Sequence, residues 1–327
     1  MNGPGLLDRV VQREPLDGHD GRSGARLERV VLDDGTRLVV KRTSPAVDLV
    51  MRATGATIQG EYLLWAGGVF DRLPAEIGNS VVDAWKEGDE TVLVMRDLGG
   101  ATVGWGRRIS RAECRRVFEA ATALHRTFDA PPVAGLCRII DRVSLFAHDR
   151  MAAQVASGHP LPPLVLRGWE RFQELVPRDA VDLVFGVLDH PERLAGPLSR
   201  QPAGLLHGDL WLVNVALEHD RVVLLDWDLA TWAPPALDFG LFLDGNASQV
   251  QASPEQIVDD YREIAGDRYD EVALRLAYVA GLVELGWNKA LDVAEHADPA
   301  VRAREREQLA WWVAQARRTA ELGLLDG

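Results

Sequence analysis

The segment HGDLWLVN, residues 207–214, places a histidine, an aspartate and an asparagine among apolar residues. A buried strand would not carry three polar side chains, and a solvent-exposed loop would not carry the apolar run 210–213. We therefore expect a loop that packs against a core and presents polar groups to a ligand. A second carboxylate, Asp226, lies 12 residues beyond Asn214, where the short apolar strand of VVLLDWDL ends.

These residue types suit phosphoryl transfer from a nucleotide. The order from His207 to Asn214 matches the kinase catalytic-loop pattern H-x-D-L-x-x-x-N, with Gly208 in the arginine position. The transition state of phosphoryl transfer is loose, so the protein mainly positions the reactants and neutralises charge. Asp209 would orient the attacking hydroxyl and accept its proton. Asp226 and the amide oxygen of Asn214 would hold Mg²⁺ on the phosphates, because hard cations prefer oxygen ligands.

Two β-hairpins with a helix between them are predicted in the first hundred residues. The first hairpin joins 25–32 to 36–42 through an Asp-Asp-Gly turn at 33–35. The next apolar residues recur at helical spacing, and that segment ends at the glycine pair 67–68. The second hairpin spans 80–98. The predicted order is strand, strand, helix, strand, strand.

A lysine and a glutamate in this region occur in the order that a kinase nucleotide site requires. Lys41 ends the second strand, and Glu61 follows on the helix about 20 residues later. Such a pair presents the lysine ammonium to the nucleotide phosphates in a fixed pose. Glu76 is an alternative partner. We expect Lys41 to be exposed at the strand end, so that its loss leaves the fold intact.

A glycine-rich turn precedes the first hairpin, with Gly18, Gly21 and Gly24 at even spacing. Backbone N–H groups of such a turn can cradle phosphates, although a flexible turn is the alternative. Met95, near the end of the second hairpin, is also assigned to the nucleotide site. The expected nucleotide is ATP rather than GTP.

From about residue 110 the pattern becomes helical. Ser110 and Glu113 form a capping-box pattern at the start of the first helix. Further helical segments are predicted at 167–176, 253–266, 270–296 and 299–323. The expected fold is α+β and bilobal. Residues 1–97 would form a small β-rich nucleotide-binding lobe, and residues 98–327 a larger, mainly helical lobe with the catalytic loop and an acceptor site.

The string LLHGDLWLVNVALEHDRVVLLDWDLATWAPPALDFG resembles the signature of aminoglycoside phosphotransferases and choline kinase-like enzymes. The resemblance implies a protein-kinase-like fold and phosphorylation of small-molecule hydroxyls with a nucleoside triphosphate and Mg²⁺. It makes Asp209 the catalytic base and Lys41 the phosphate anchor. Asn214 and Asp226 become metal ligands, and Asp238 matches a structural aspartate of the family.

The motif-bearing similarity covers residues 15–100 and 200–245. HGDLW also resembles fructosamine kinases, whereas LDWDLA and LDFG are nearer to the aminoglycoside branch. The glycine loop is G-x-x-G-x-x-G and no A-P-E segment occurs, which argues against a protein kinase.

We therefore expect a small-molecule kinase that transfers the γ-phosphate of ATP to a hydroxyl of a small polar metabolite or antibiotic. A catalytically weak, pseudokinase-type regulator and a fructosamine or amino-sugar kinase are the alternatives. Acidic residues recur through 255–296, among them Asp260 and Glu284, and would attract an amine-bearing acceptor. A solvated acidic face is the simpler interpretation. Trp287 is a candidate wall of the acceptor site.

The composition excludes other classes of function. A net charge of −13 argues against nucleic-acid partners, which require a basic surface. Cys114 and Cys137 are too few for a disulfide framework and fit a reducing cytosol. The N-terminus lacks a signal-peptide core, and no apolar run reaches the length of a membrane span. We expect a cytoplasmic protein without a membrane partner.

Overall fold

The computed structural model describes residues 4–16 and 23–325. The N-terminal region is rich in β-structure, and five of its strands form an antiparallel sheet. Its strands are β1 (Val10–Pro15), β2 (Arg26–Leu32), β3 (Arg37–Thr43), β4 (Ile77–Gly78), β5 (Val81–Glu87) and β6 (Glu90–Arg96). The order in the sheet is β1-β2-β3-β6-β5. Helices α1 (Leu49–Thr54) and α2 (Gly60–Ala66) lie between β3 and β4 in the chain.

The two faces of this sheet have different roles because side chains alternate along a strand. One face buries a small apolar core that includes Val30, Val40 and Val94. Lys41 follows Val40 and therefore points to the opposite face. There it lies opposite Leu27 of β2 and Leu93 of β6 in the strand register. The alternation of side chains that places Val40 in the apolar core therefore places Lys41 on the opposite face, toward the helical region.

The C-terminal region is mainly helical. Its helices are α3 (Arg111–Thr127), α4 (Ile139–Val143), α5 (His148–Gln154), α6 (Leu161–Leu175), α7 (Arg178–Asp189), α8 (Glu192–Ser199), α9 (Ala236–Asn246), α10 (Pro254–Ala265), α11 (Glu271–Glu295) and α12 (Pro299–Glu321). Helix α11 is apolar on most of its circumference and is buried between α6, α9 and α12. It forms the centre of the helical core.

Four short strands interrupt the helices and carry the polar loops. They are β7 (Gly204–Leu206), β8 (Val215–Leu217), β9 (Val222–Leu224) and β10 (Thr231–Ala233). Strands β7 and β10 pair antiparallel, and so do β8 and β9. Strand β4 of the N-terminal region pairs parallel with β9. The segment 207–214 thus connects β7 to β8, and Asp226 follows β9.

Most of the predicted elements are present. Both hairpins, the helix that ends before the glycine pair at 67–68 and the capping box of Ser110 and Glu113 are confirmed. Strand β1 and six helices (α1, α4, α5, α7, α8 and α9) are not among the predicted elements. Within the described residues, none of the helices combines the length and the apolar character that spanning a membrane requires.

The close approach of α6 and α11 generates a test of the fold. A Cβ atom at the buried Gly168 would overlap the backbone carbonyl of Trp287. We expect Gly168→Ala to lower the free energy of unfolding by about 1–3 kcal/mol, because the two helices must move apart. Urea unfolding is the measurement.

Gly186→Ala is the matched control, since the site lies within α7 and only the far end of the flexible Arg193 side chain is near a new Cβ. Alanine there should raise the free energy of unfolding by about 0.5–1 kcal/mol through helix propensity. Equal effects of the two substitutions would contradict the close packing of α6 on α11.

Candidate functional site

The loop between β7 and β8 has a backbone that only glycine can adopt at its second position. Gly208 has φ +80°, and a Cβ atom there would overlap the backbone carbonyl of Leu229. Asp238, in the first turn of α9, accepts hydrogen bonds from the backbone N–H groups of His207 (3.0 Å) and Gly208 (2.9 Å). The buried carboxylate of Asp238 therefore holds the loop from below, which fits the structural role that the resemblance implies.

His207 joins the same loop to the segment that carries Asp226. Its ring is fully buried, and Nε2 lies 2.9 Å from the carbonyl oxygen of Leu225. Nδ1 accepts from the backbone N–H of Asp209 at 3.3 Å. Burial lowers the pKa of His207, so the ring is neutral and donates from Nε2. Its contacts are those of a positioning residue.

Asp209 and Asn214 are in direct contact across the loop. The side-chain Nδ2 of Asn214 donates to the Asp209 carboxylate at 2.9 Å and to its backbone carbonyl at 3.1 Å. This geometry leaves the amide oxygen of Asn214 available as a ligand. Burial raises the pKa of Asp209 to about 6, and the guanidinium of Arg142, 3.9 Å away, opposes that rise.

Lys41 lies at the centre of three carboxylates. Its Nζ is 2.6 Å from Asp226, 3.0 Å from Asp228 and 3.7 Å from Glu61. The expectation that Lys41 is an exposed strand-end residue is wrong, because only 5% of it is exposed. The ion pairs cross from β3 and α2 of the sheet region to the turn after β9. Glu61 is the partner rather than Glu76, which is exposed before β4.

The cluster contains three carboxyl groups and one ammonium group. Burial raises the pKa of Glu61 to about 7 and also raises that of Asp228, where the charge of Asp226 adds to the effect. Burial opposes ionisation of Asp226 as well, but Lys41 outweighs it and lowers that pKa. Ligand oxygens of the three carboxylates all lie within 4.8 Å of one another. Such a set of oxygens suits a hard divalent cation.

Asp226 holds an unusual backbone conformation. Its φ is +62°, and it is the one non-glycine residue with a positive φ among 4–16 and 23–325. A side chain in this region costs of order 1–3 kcal/mol and is retained where the surroundings over-determine it. The strained turn directs the carboxylate toward Lys41 and leaves it 38% exposed.

Two cavities meet at this cluster. The sheet cavity, of about 360 Å³, is lined by Leu27, Val39, Lys41, Met95 and Thr102 together with Asn214 and Asp226. The helical cavity, of about 180 Å³, is lined by Trp105, Phe146, Trp211, Glu284 and Trp287 together with Asp209, Asn214 and Asp226. Asn214 and Asp226 therefore belong to the walls of both.

The predicted nucleotide residues are brought together only in part. Lys41, Glu61 and Met95 all line the sheet cavity. Gly24, with φ +97°, is flanked by two of its lining residues, 23 and 25, and a Cβ atom there would lie 2.6 Å from the Val47 carbonyl oxygen. Gly21 and Gly18 lie outside the described residues. Trp287, the candidate wall, lines the helical cavity.

The expected acidic acceptor surface is not assembled. Asp260 forms ion pairs with Arg111 and Arg115 of α3 and does not line the helical cavity. Of the acids in 255–296, Glu284 alone lines it, within the described residues.

Arg142 has no detectable signal in the sequence, because α4 is too short to show a helical pattern. Only the folded chain brings Arg142 beneath the catalytic loop.

The chain is similar to known phosphotransferases in sequence pattern and in fold. The model of the family described as "Phosphotransferase enzyme family" matches residues 21–275. A spectinomycin phosphotransferase solved with ADP and spectinomycin is 14% identical, with a TM-score of 0.55 and coverage of 95% of this chain and 94% of that one. The aminoglycoside phosphotransferase APH(3'')-Id from Streptomyces rimosus, solved with ADP and streptomycin, is 16% identical, with a TM-score of 0.50 and coverage of 81% and 94%.

These two structures show the fold alone, because their identity to this chain is low. No curated protein is significantly similar to the sequence. The family match spans most of the sheet region, the catalytic loop and the start of α11. The chain therefore belongs to the phosphotransferase enzyme family and has its kinase-like fold.

Proposed function

We propose that the protein transfers the γ-phosphoryl group of ATP, with Mg²⁺, to a hydroxyl group of a small molecule. The observation that carries this proposal is the meeting of the two cavities at Asn214 and Asp226. A nucleotide in the sheet cavity and an acceptor in the helical cavity would face each other beside Asp209. The ADP bound in the two related structures supports a nucleotide as the donor.

The sheet cavity has the chemistry that ATP requires. Leu27, Val39 and Met95 offer an apolar surface to a planar base. Lys41 offers an ammonium held at one end of the cavity by buried carboxylates. Because those carboxylates keep Lys41 charged and in place, little reorganisation is needed when phosphates arrive. This arrangement supports the assignment of residues 1–97 as the nucleotide-binding lobe.

The donor set fits Mg²⁺. Asp226 would supply a partly exposed carboxylate, and Asn214 would supply the amide oxygen that its contact with Asp209 leaves free. Burial raises the pKa of Glu61 to about 7, and a divalent cation beside the cluster would favour the charged form of this carboxyl group. When bound, Mg²⁺ would neutralise charge on the β- and γ-phosphates.

Asp209 would act on the acceptor. The acceptor oxygen forms a bond to the γ-phosphorus while the bond from that phosphorus to the β–γ bridging oxygen breaks. ADP leaves with the electron pair, and the hydroxyl proton passes to the Asp209 carboxylate. The hydrogen bond from Asn214 and the backbone contacts to His207 hold that carboxylate at the wall of the helical cavity. Positioning therefore accounts for much of the expected rate.

The substitution Asp226→Asn tests the metal assignment. Asparagine tolerates a positive φ, so the turn is kept while the charge is removed. We expect Mg²⁺-dependent ATP binding to be lost, and Asn214→Ala to weaken it less, because Asn214 contributes only a neutral oxygen. Calorimetric titration of ATP with and without Mg²⁺ gives both values. Unchanged Mg²⁺ dependence in Asp226→Asn would remove Asp226 as a ligand.

Lys41→Met tests the phosphate anchor. It should raise KM for ATP and lower kcat, since the ammonium acts in the ground state and in the transition state. It should also lower stability by about 3–5 kcal/mol, because buried carboxylates lose their cation. Steady-state kinetics and urea unfolding are the measurements. Lys86→Met, on the exposed part of β5, is the control and should match the wild type. Normal ATP kinetics in Lys41→Met would assign the anchor to another cation.

Asp209→Asn tests the base. We expect ATP·Mg²⁺ binding and folding close to wild type, with transfer reduced by about 10²- to 10⁴-fold. Labelled phosphate transferred to an acceptor, or to water when no acceptor is added, is the readout. Asp89→Asn, in the exposed turn between β5 and β6, is the matched control. Turnover in Asp209→Asn within about threefold of wild type would refute the assignment.

Absence of transfer by the wild type to any acceptor would favour a nucleotide-binding regulator.

A further inference from the structure

The helical cavity is small and has mainly apolar walls. Its volume is about 180 Å³, and an apolar cavity of roughly 150 Å³ can hold a benzene ring. Aliphatic side chains from α1, α5, α6 and the segment after α4 form much of the wall, namely Leu49, Val50, Leu145, Met151 and Leu161. The enclosed volume holds a body with one ring, and the cavity is open to solvent on one side.

Two aromatic pairs complete the wall and are held in place by their neighbours. Trp105 and Trp211 contact edge to face with ring centres 5.3 Å apart, and Phe146 and Trp287 are 5.7 Å apart. A Cβ atom at Gly245 would lie 2.9 Å from the Trp211 ring, so glycine is required to seat that ring. The aromatic surface is thus present before a ligand binds, which lowers the entropic cost of binding an apolar body.

The acidic groups at this cavity already have cationic partners. Glu284, in the middle of α11, is 2.5 Å from the guanidinium of Arg142, and both are almost fully buried. The same guanidinium lies 3.9 Å from Asp209, and its Nε donates to the Gly208 carbonyl at 2.7 Å. Asp226 is paired with Lys41. Each of the cavity's three carboxylates therefore lies within 4 Å of a buried lysine or arginine.

Two further acids of α10 and α11 are also paired, away from the cavity. Asp260 is bound by Arg111 and Arg115, and Glu271 is bound by Arg275. An ammonium group that entered the helical cavity would lose its hydration and would meet only carboxylates that already contact a buried arginine or lysine. The cost of desolvating such an ion is several kcal/mol unless a counter-charge is available.

From these observations we infer that the acceptor is an uncharged alcohol with an apolar body of about one ring, and not an amine-bearing polar molecule. This inference rests on the proposed function and specifies its acceptor. The hydroxyl group lies at Asp209, and the apolar body lies between the aromatic pairs. The product is an uncharged body that carries a phosphate monoester, formed together with ADP.

An isosteric pair of alcohols tests the inference on the unaltered protein. The probes are 4-tert-butylbenzyl alcohol and its trimethylammonium counterpart, (4-(hydroxymethyl)phenyl)trimethylammonium, which have the same shape and differ by one charge. Calorimetric binding to the full chain with ADP and Mg²⁺ should favour the neutral probe by at least about tenfold. Equal or tighter binding of the cation, or no binding of the neutral probe at concentrations up to about 10 mM, overturns the inference.

Substitutions test which residues cause the preference for the neutral probe. Arg142→Met leaves the Glu284 carboxylate without its partner, so the preference for the neutral probe should fall at least about threefold, whereas Arg142→Lys should keep it. Trp105→Ala should weaken binding of the neutral probe by about threefold or more. Trp85→Ala, on β5 outside both cavities, should leave that binding unchanged. An unchanged preference in a folded Arg142→Met variant overturns the role of the ion pair. The wild-type comparison stands even if that variant does not fold.

The two proposals fail in different ways. Transfer from labelled ATP to the cationic probe, with no binding of the neutral probe, would refute the acceptor class and leave the kinase function in place. Preferential binding of the neutral probe, without transfer to any alcohol, would refute the kinase function and leave the assignment of the cavity in place.

Discussion

The buried ammonium of Lys41 is the interaction on which the site depends. It lies on β3, and its three carboxylate partners come from α2 and from the turn after β9. Without the lysine, Glu61, Asp226 and Asp228 would be three acids in one buried place, and without the acids the ammonium would be unpaired. Because each side requires the other, the cluster sets how the sheet region meets the helical region. The parallel pairing of β4 with β9 reinforces this contact.

The conformation of the loop between β7 and β8 depends on backbone constraints rather than on charge. Gly208 and Asp226 both have positive φ, and Gly208 passes so close to Leu229 that no side chain fits. Asp238 from below and His207 from within satisfy the backbone N–H groups of the turn. The side chains of Asp238 and His207 are therefore engaged in hydrogen bonds that fix the loop and are not free to bind a ligand. Asp209 and Asp226 are left at the cavities in defined positions.

The acidic composition of the sequence does not by itself determine which charges a ligand meets in the folded chain. A net charge of −13 suggests attraction of cations, yet several acids of α10 and α11 are bound by arginines from neighbouring helices. Asp260 illustrates the point, since it is buried beneath Arg111 and Arg115. A cavity with apolar walls can therefore exist in a strongly acidic protein, because local pairing and not net charge decides the field that a ligand meets.

The sequence alone determined the order of the hairpins, the capping box of α3 and the grouping of Asp209, Asn214 and Asp226 in one motif, because local patterns and motif spacing act over a few residues. It could not show that Lys41 is buried, or that Arg142 lies between Asp209 and Glu284, since these contacts join residues far apart in the chain. Short helices such as α4 also escape detection, because they contain less than two turns of pattern. Charge pairing and cavity shape arise from packing between distant segments, so only the tertiary structure decided what the acceptor site presents.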